Sequence, residues 1–331
     1  MANFAAVWRD SGFSTTVPPF LLVPYEGVSL VYLNGARSFN IQRDLKFPTE
    51  NLTVKAVNPA EITRTLMTYS ENFPSTLRND VLALVVGMRN TILFGSVLLS
   101  VEASISGVTA SLDYIGKPGG AKMDVFATRR RTIAISFRFV RYQDKAGFLK
   151  SGTGLTPPDA EGLLDIMNRV FLPSANIELT LKSATYANIH QQLGTEILMD
   201  NFRKYIVPLR DHTADLTVFF VGKWRGTTDP AGTAFRDVNC VVVDDAPSAG
   251  LAASLAPMKA WPPHLVTDDE IYYSPGRLLR PQSDRELHVV LAHEIAHILG
   301  ADHNDEPDNL MSSHRQNLRL SKGTIRAITG K

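Results

Sequence analysis

One run constrains this chain more than any other: His293-Glu294-Ile295-Ala296-His297-Ile298-Leu299-Gly300-Ala301-Asp302-His303, followed by Met311 in Asp308-Asn309-Leu310-Met311-Ser312-Ser313. Residues four apart on a helix lie one above the other, so His293 and His297 aim their imidazoles at a common point. Gly300 stands where a helix stops, because glycine takes the left-handed conformation cheaply, and the chain can turn back to bring His303 to the same point. Three imidazoles about 2.0–2.1 Å from one zinc ion leave a fourth position for water. Glu294 points about 100° round the helix from His293, beside the metal rather than on it. Zinc brings the pKa of bound water from about 15.7 towards about 7, and a neighbouring carboxylate can then act as general base. The predicted chemistry is hydrolysis of an amide. A closed, structural zinc site would need a fourth protein ligand, and the chain's one cysteine, Cys240, is remote in sequence.

The chain of 331 residues is 44% hydrophobic and 20% charged, enough for two domains. Its net charge of +1 offers no electrostatic reason to expect nucleic acid as a partner. Arg129-Arg130-Arg131 opens an expected strand and reads as a solvated strand entrance. One cysteine excludes an intrachain disulfide, and Cys240 within Val238–Val243 reads as an inert core thiol. Residues 1–10 lack a basic start and an apolar run, so no signal peptide is expected, which leaves a cytoplasmic site or signal-independent export. Arg89, Asn90 and glycines interrupt the apolar stretch 81–103, so two buried strands are expected there and no membrane span.

Residues 1–122 read as an all-β sandwich domain. Strands are expected at Phe20–Val23, Val28–Leu33, Ser38–Ile41, Leu52–Val57, Val81–Val86, Ser96–Ala103 and Val108–Tyr114, with Asn34-Gly35 as a hairpin signal. The phrases Leu52–Pro59, Leu98–Ala103 and Gly107–Leu112 make this half similar to bacterial immunoglobulin-like modules, which implies a spacer or a module that binds a targeting partner. Gly116–Lys122 reads as the hinge.

Residues 123–331 change to alternating strands and helices. Strands are expected at 132–140, 177–181, 216–221, 239–245 and 270–274, with helices opening at Pro157-Pro158-Asp159 and over 189–205. The first helix carries Leu163, Leu164, Met167 and Phe171 at helical spacing. Ser283-Asp284-Arg285-Glu286 forms a capping box for the helix bearing His293, on which His288 lies outside the ligand spacing and reads as a packing or surface residue. Asp229, Asp244, Asp245, Asp268 and Asp269 read either as a structural calcium site between loops or, more plainly, as separate solvated carboxylates.

The pattern H-E-x-x-H-x-x-G-x-x-H with a following methionine resembles the metzincin zinc endopeptidases, and residues 318–330 are similar to the terminal helix of matrixin-like catalytic domains. The resemblance implies an α+β fold, a twisted mixed sheet with an active-site helix and a C-terminal helix. It implies His293, His297 and His303 as ligands of one catalytic zinc, Glu294 as general base, and Met311 in a turn beneath the metal. Ser321 would cap the last helix, with Ile325 and Ile328 inward. It also implies an edge strand, either Asn239–Asp245 or Gly250–Pro257, that pairs with an extended protein or peptide substrate, and residues 312–320 as the wall of a specificity pocket. Ser313 stands where some metzincins carry a tyrosine, and no prosegment cysteine is available to block the zinc. Beside the endopeptidase reading stand two others: a delivered toxin that hydrolyses bacterial-wall peptides, and a non-catalytic, zinc-stabilised adhesion module.

Overall fold

The computed structural model describes residues 7–10, 20–24, 28–34, 36, 39–58, 97–116, 120–144, 146–190, 197–222, 224–225, 231–245, 287–305, 309–312 and 320–330. They fall into two compact units that divide between Arg130 and Arg131.

The first unit contains β1 (Val7–Asp10), β2 (Phe20–Pro24), β3 (Val28–Asn34), a helical turn α1 (Ile41–Asp44), β4 (Leu45–Lys46), β5 (Leu52–Ala56), β6 (Val97–Ala103), β7 (Thr109–Tyr114) and β8 (Ala121–Thr128). Two four-stranded sheets result, in the orders β1-β3-β6-β5 and β2-β8-β7-β4. Alternate residues point inward, and Val31, Leu33, Leu52 and Val101 of one sheet join Leu21, Leu112, Met123 and Val125 of the other in a single apolar cluster.

Three expectations are corrected here. Asn34-Gly35 does not close a hairpin, since β3 pairs with β1 and β6. The expected strand through Ile41 gives way to α1, because the Asn40 side chain accepts from Arg43 N–H at 3.2 Å while Asn40 N–H donates to Asp44 at 2.8 Å. The expected hinge at 116–122 joins antiparallel neighbours, with Tyr114 opposite Ala121, so it is a connection inside the first unit. For the same reason β8 stays with this unit, and the division falls at 130/131 rather than at 122/123. The strand expected at 81–86 lies outside the described residues.

The second unit runs β9 (Arg131–Gln143), β10 (Leu149–Gly152), α2 (Asp159–Ala175), β11 (Ile177–Ile189), β12 (Ile197–Leu198), an irregular helical segment over 199–209, β13 (Leu216–Val221), β14 (Trp224–Arg225), β15 (Gly232–Phe235), β16 (Cys240–Asp244), α3 (Leu287–Ile298) and α4 (Lys322–Thr329). β11 flanks β9 along nearly its whole length, so β13 and β10 share the other side of β9 in succession. From β13 the sheet continues through parallel β16 to antiparallel β15. α2 ends at Asn176, whose left-handed φ of 54° turns the chain into β11. Of the helix expected over 189–205, Ile189 belongs to β11 through its pairing with β9, Ile197–Leu198 form β12, and the helical segment opens at Met199, while 191–196 lie outside the described residues.

All six residues of β13 are buried, so both faces of the sheet are covered. On one face Phe219, Val221, Cys240 and Val242 pack with Phe202, Ile206 and Phe235. On α2, Leu163, Met167 and Phe171 are fully buried, and α3 packs on β15 and β16. Burial raises the Cys240 thiol to about 11, which makes it an inert core group. Asn239–Asp245, one of the two candidates for the edge strand, is interior; β15 terminates the sheet among the described residues. The other candidate, 250–257, lies outside them, as does the strand expected at 270–274.

A polar knot fastens the sheet. The Asp211 carboxylate accepts from Ser136 Oγ at 2.8 Å, Ser183 Oγ at 2.9 Å, and the Thr213 hydroxyl and N–H at 2.7 and 2.9 Å, with Arg138 at 3.3 Å. These donors, the Thr213 hydroxyl first, hold its pKa well below the ordinary carboxylate range. A depressed carboxylate contributes stability that is full above pH of about 4 and is lost as pH falls. Asp211→Ala is therefore expected to cost about 2–3 kcal/mol at pH 7, and the difference from wild type should shrink at pH of about 2.5 in urea denaturation.

Candidate metal centre

On α3, Val289, Leu291, Ala292, Ile295 and Ala296 are fully buried, and these side chains seat the helix on the sheet. His288 is buried as well, the packing alternative of its two sequence readings. The helix stops where Gly300 takes a φ of 111° and Ala301 N–H reaches back to Ala296 O at 2.9 Å. The reversal brings His303 alongside His293 and His297.

The three Nε2 atoms form a nearly equilateral triangle with sides of 3.0, 3.1 and 3.2 Å. Nitrogens about 2.0–2.1 Å from a tetrahedral ion lie roughly 3.3–3.4 Å apart, so the triad could hold a metal ion with little adjustment. Tautomers support the fit. His293 Nδ1 lies 2.7 Å from Leu310 O and His297 Nδ1 lies 2.8 Å from Ala301 O. A carbonyl only accepts, so both Nδ1 atoms carry the proton and both Nε2 atoms present lone pairs. Two lone pairs 3.1 Å apart repel, and His303 can donate to only one of them; a shared cation relieves both. Burial pushes the His293 pKa down to about 4, against the opposing pull of Leu310 O, and lowers that of His297 too, which keeps the rings neutral at pH 7.

Met311 is fully buried in a turn organised by Asn309, whose side-chain oxygen accepts from Met311 N–H at 2.8 Å. Asn304 N–H donates to Met311 O at 2.9 Å, and Asn304 Oδ1 accepts from the Asn309 amide at 2.9 Å. The turn thereby fixes the Leu310 carbonyl that orients His293. Ser321 Oγ caps α4 through Thr324 N–H at 3.2 Å, and Ile325 and Ile328 are buried.

Glu294, the residue after His293 on α3, is buried, and the Ala234 N–H of β15 is near enough to its carboxyl group to favour the ionised form. Burial raises its pKa to about 8, only partly opposed by that donor. The approach of α3 to β15 depends on Gly232. A Cβ there would lie 2.7 Å from Val290 Cγ1 and 3.0 Å from Glu294 Cγ. Neither Gly232 nor Ala234 carried a sequence signal, because one acts by lacking a side chain and the other through its main chain.

The calcium alternative finds no support. The buried Asp245 carboxylate accepts from Thr153 Oγ1 and from Gly154 and Leu155 N–H, which commits it to the protein. Asp229, Asp268 and Asp269 lie outside the described residues, as do the capping box at 283–286, Ser313 and nearly all of the expected pocket wall at 312–320.

Residues 185–329 match the family model of the matrixins, Peptidase_M10. The matched stretch begins within β11 and spans the triad, Glu294 and Met311. At the level of the family it supports a metzincin-like catalytic domain and a zinc metallopeptidase. No curated protein is similar enough to match. Among solved structures, the surface layer protein SbsC, domains 1–6, is similar at 10% identity and a TM-score of 0.22, over 45% of this chain and 17% of that one. A chaperone–substrate complex is similar at 11% identity and a TM-score of 0.33, over 69% of this chain and 37% of that one.

Gly232→Ala is expected to force α3 and β15 apart at a cost of about 1–3 kcal/mol. Urea denaturation of the metal-free chain, with circular dichroism to show that the fold is retained, checks this.

Proposed function

We propose that the second unit is a zinc-dependent endopeptidase acting on protein or peptide substrates, with His293, His297 and His303 as zinc ligands and Glu294 as general base. One observation carries the reading: the Nε2 atoms of three histidines converge within 3.2 Å of one another, and Glu294, next in sequence to the first of them, is buried on the same helix as two of them. A site that served only to staple the fold would gain nothing from a desolvated carboxylate at that position.

Bound zinc would supply Lewis acidity, bringing water into the range where it loses a proton near neutral pH and polarising the scissile carbonyl. The chain's own groups do the rest. Leu310 O and Ala301 O hold two of the ligand rings in the tautomer that a metal requires. Glu294, ionised once a bound cation offsets the burial that holds its pKa at about 8 in the metal-free chain, takes a proton from the attacking water and returns it to the leaving amine. β15, antiparallel and the last strand of the sheet among the described residues, is the strand we assign to main-chain pairing with extended substrate. Met311 closes the floor as an apolar residue that orders the turn without ligating.

For the first unit, the two sheets with a shared core are consistent with an immunoglobulin-like accessory module, and we assign it a targeting or spacing role.

Zinc content and cleavage of an unstructured protein such as casein test the catalytic reading. Wild type and Glu294→Gln should each bind one zinc, with cleavage falling by about 10²–10⁴-fold or more in the variant and abolished in both by a chelator. Equal cleavage by the variant would remove Glu294 from the mechanism. Zinc binding without cleavage in either form would favour the adhesion reading.

A further inference from the structure

Arg236 opens the short 3₁₀ turn that follows β15, and the sequence alone gave no reason to single it out. Its Nε–H donates to His297 O at 2.7 Å, and its Nη2 donates both to Ala301 O and to Asp302 Oδ1, the latter at 2.8 Å. The two carbonyls belong to the last turn of α3 and the reversal after it, where the helix dipole is negative, and His297 O also accepts from Gly300 N–H at 3.1 Å. Ala301 O is also the acceptor for His297 Nδ1–H.

We propose that Arg236 is a positioning residue for the metal site: its guanidinium pins the Ala301 carbonyl and thereby fixes the ring of His297. A planar guanidinium spans two carbonyls at once, whereas a lysine ammonium is a single point charge on a flexible stem. The Asp302 carboxylate is 81% exposed, so the two carbonyls rather than that ion pair carry the effect. His293 is independent of this clasp, since its Nδ1–H partner is Leu310 O in the Asn309 turn. Four residues before Arg236, Gly232 lies against the Glu294 side chain, where a Cβ would come within 3.0 Å of Glu294 Cγ. One short segment thus packs against Glu294 at Gly232 and clasps a ligand-bearing turn at Arg236.

The inference rests on the zinc reading above, and its test separates the two. Zinc affinity is measured on the full chain by competition with a chromophoric chelator, for wild type, Arg236→Met, Arg236→Lys and Arg203→Gln. The last variant breaks an exposed ion pair to Asp237, the next residue of the same turn, without touching the clasp. Ring N–H signals of the histidines are read by NMR in the metal-free forms. Arg236→Met should bind zinc about 10–100-fold more weakly, Arg236→Lys should fall between it and wild type, and Arg203→Gln should match wild type. The His297 Nδ1–H signal should broaden or vanish in Arg236→Met while that of His293 persists. Wild-type affinity with an intact His297 signal in Arg236→Met would overturn the proposal, as would an equal loss of affinity in Arg203→Gln, which would make the turn merely structural. Should Arg236→Met fail to fold, Arg236→Lys decides: a weakened His297 signal supports the clasp, and an unchanged signal with unchanged affinity overturns it. A wild type that takes up no zinc would sink the zinc reading, while the ring signals would still judge the clasp.

Discussion

The candidate site depends on two hydrogen bonds, from His293 Nδ1–H to Leu310 O and from His297 Nδ1–H to Ala301 O. Without them each ring could present N–H or lone pair inward, and a neutral imidazole shows a metal only the lone pair. With them, the chain accepts an arrangement that is unfavourable by itself, with nitrogen lone pairs about 3 Å apart. That local conflict can persist because its supports are rigid. Leu310 O sits in a turn braced by Asn309 and Asn304, and Ala301 O follows a helix end set by the positive φ of Gly300. The conflict is also informative, since side chains optimised only for packing would not bring two imidazole lone pairs together against a third ring.

How much of this was legible in the sequence follows from which atoms do the work. The convergence of His293 and His297 follows from helical spacing, and the return of His303 from a glycine that ends the helix. Strands with clean alternation, such as β9 and β7, were readable for the same reason, as was the Ser321 cap. The extent of β11 was not, because its last residues, Ser183 to Ile189, owe their extended form to a parallel partner far away in sequence. The hinge expected at 116–122 failed similarly: glycine and proline mark a turn but do not say whether its flanking strands pair. Main-chain donors and acceptors, Ala234 N–H, Leu310 O and Ala301 O, carry no side-chain signature at all.

The sheet and the site are joined at β15. A four-residue strand at the end of a sheet would ordinarily be its least constrained member. Here it is held from three directions. β16 pairs with it, Val290 and Glu294 of α3 press on it at Gly232, and the guanidinium of Arg236 reaches from its end to the turn after α3. Gly232 permits this by letting the helix approach until its side chains touch the strand backbone. The buried core beneath, Val241 and Val243 on β16 with Ala292, Ile295 and Ala296 on α3, supplies the rigidity on which such short contacts depend.

That arrangement bears on how an extended peptide could be recognised. A strand that adds to a sheet edge gains main-chain hydrogen bonds whatever its sequence, and side-chain selectivity must come from pockets. If β15 receives substrate, the atoms that align the peptide belong to the same short segment that packs against Glu294 and whose end steadies His297. Pairing and chemistry would then be coupled through a few main-chain atoms, and a peptide shifted by one residue would lose register and reactive geometry together. Catalytic alignment would be set at the sheet edge, and preference among side chains by the segment that follows Met311.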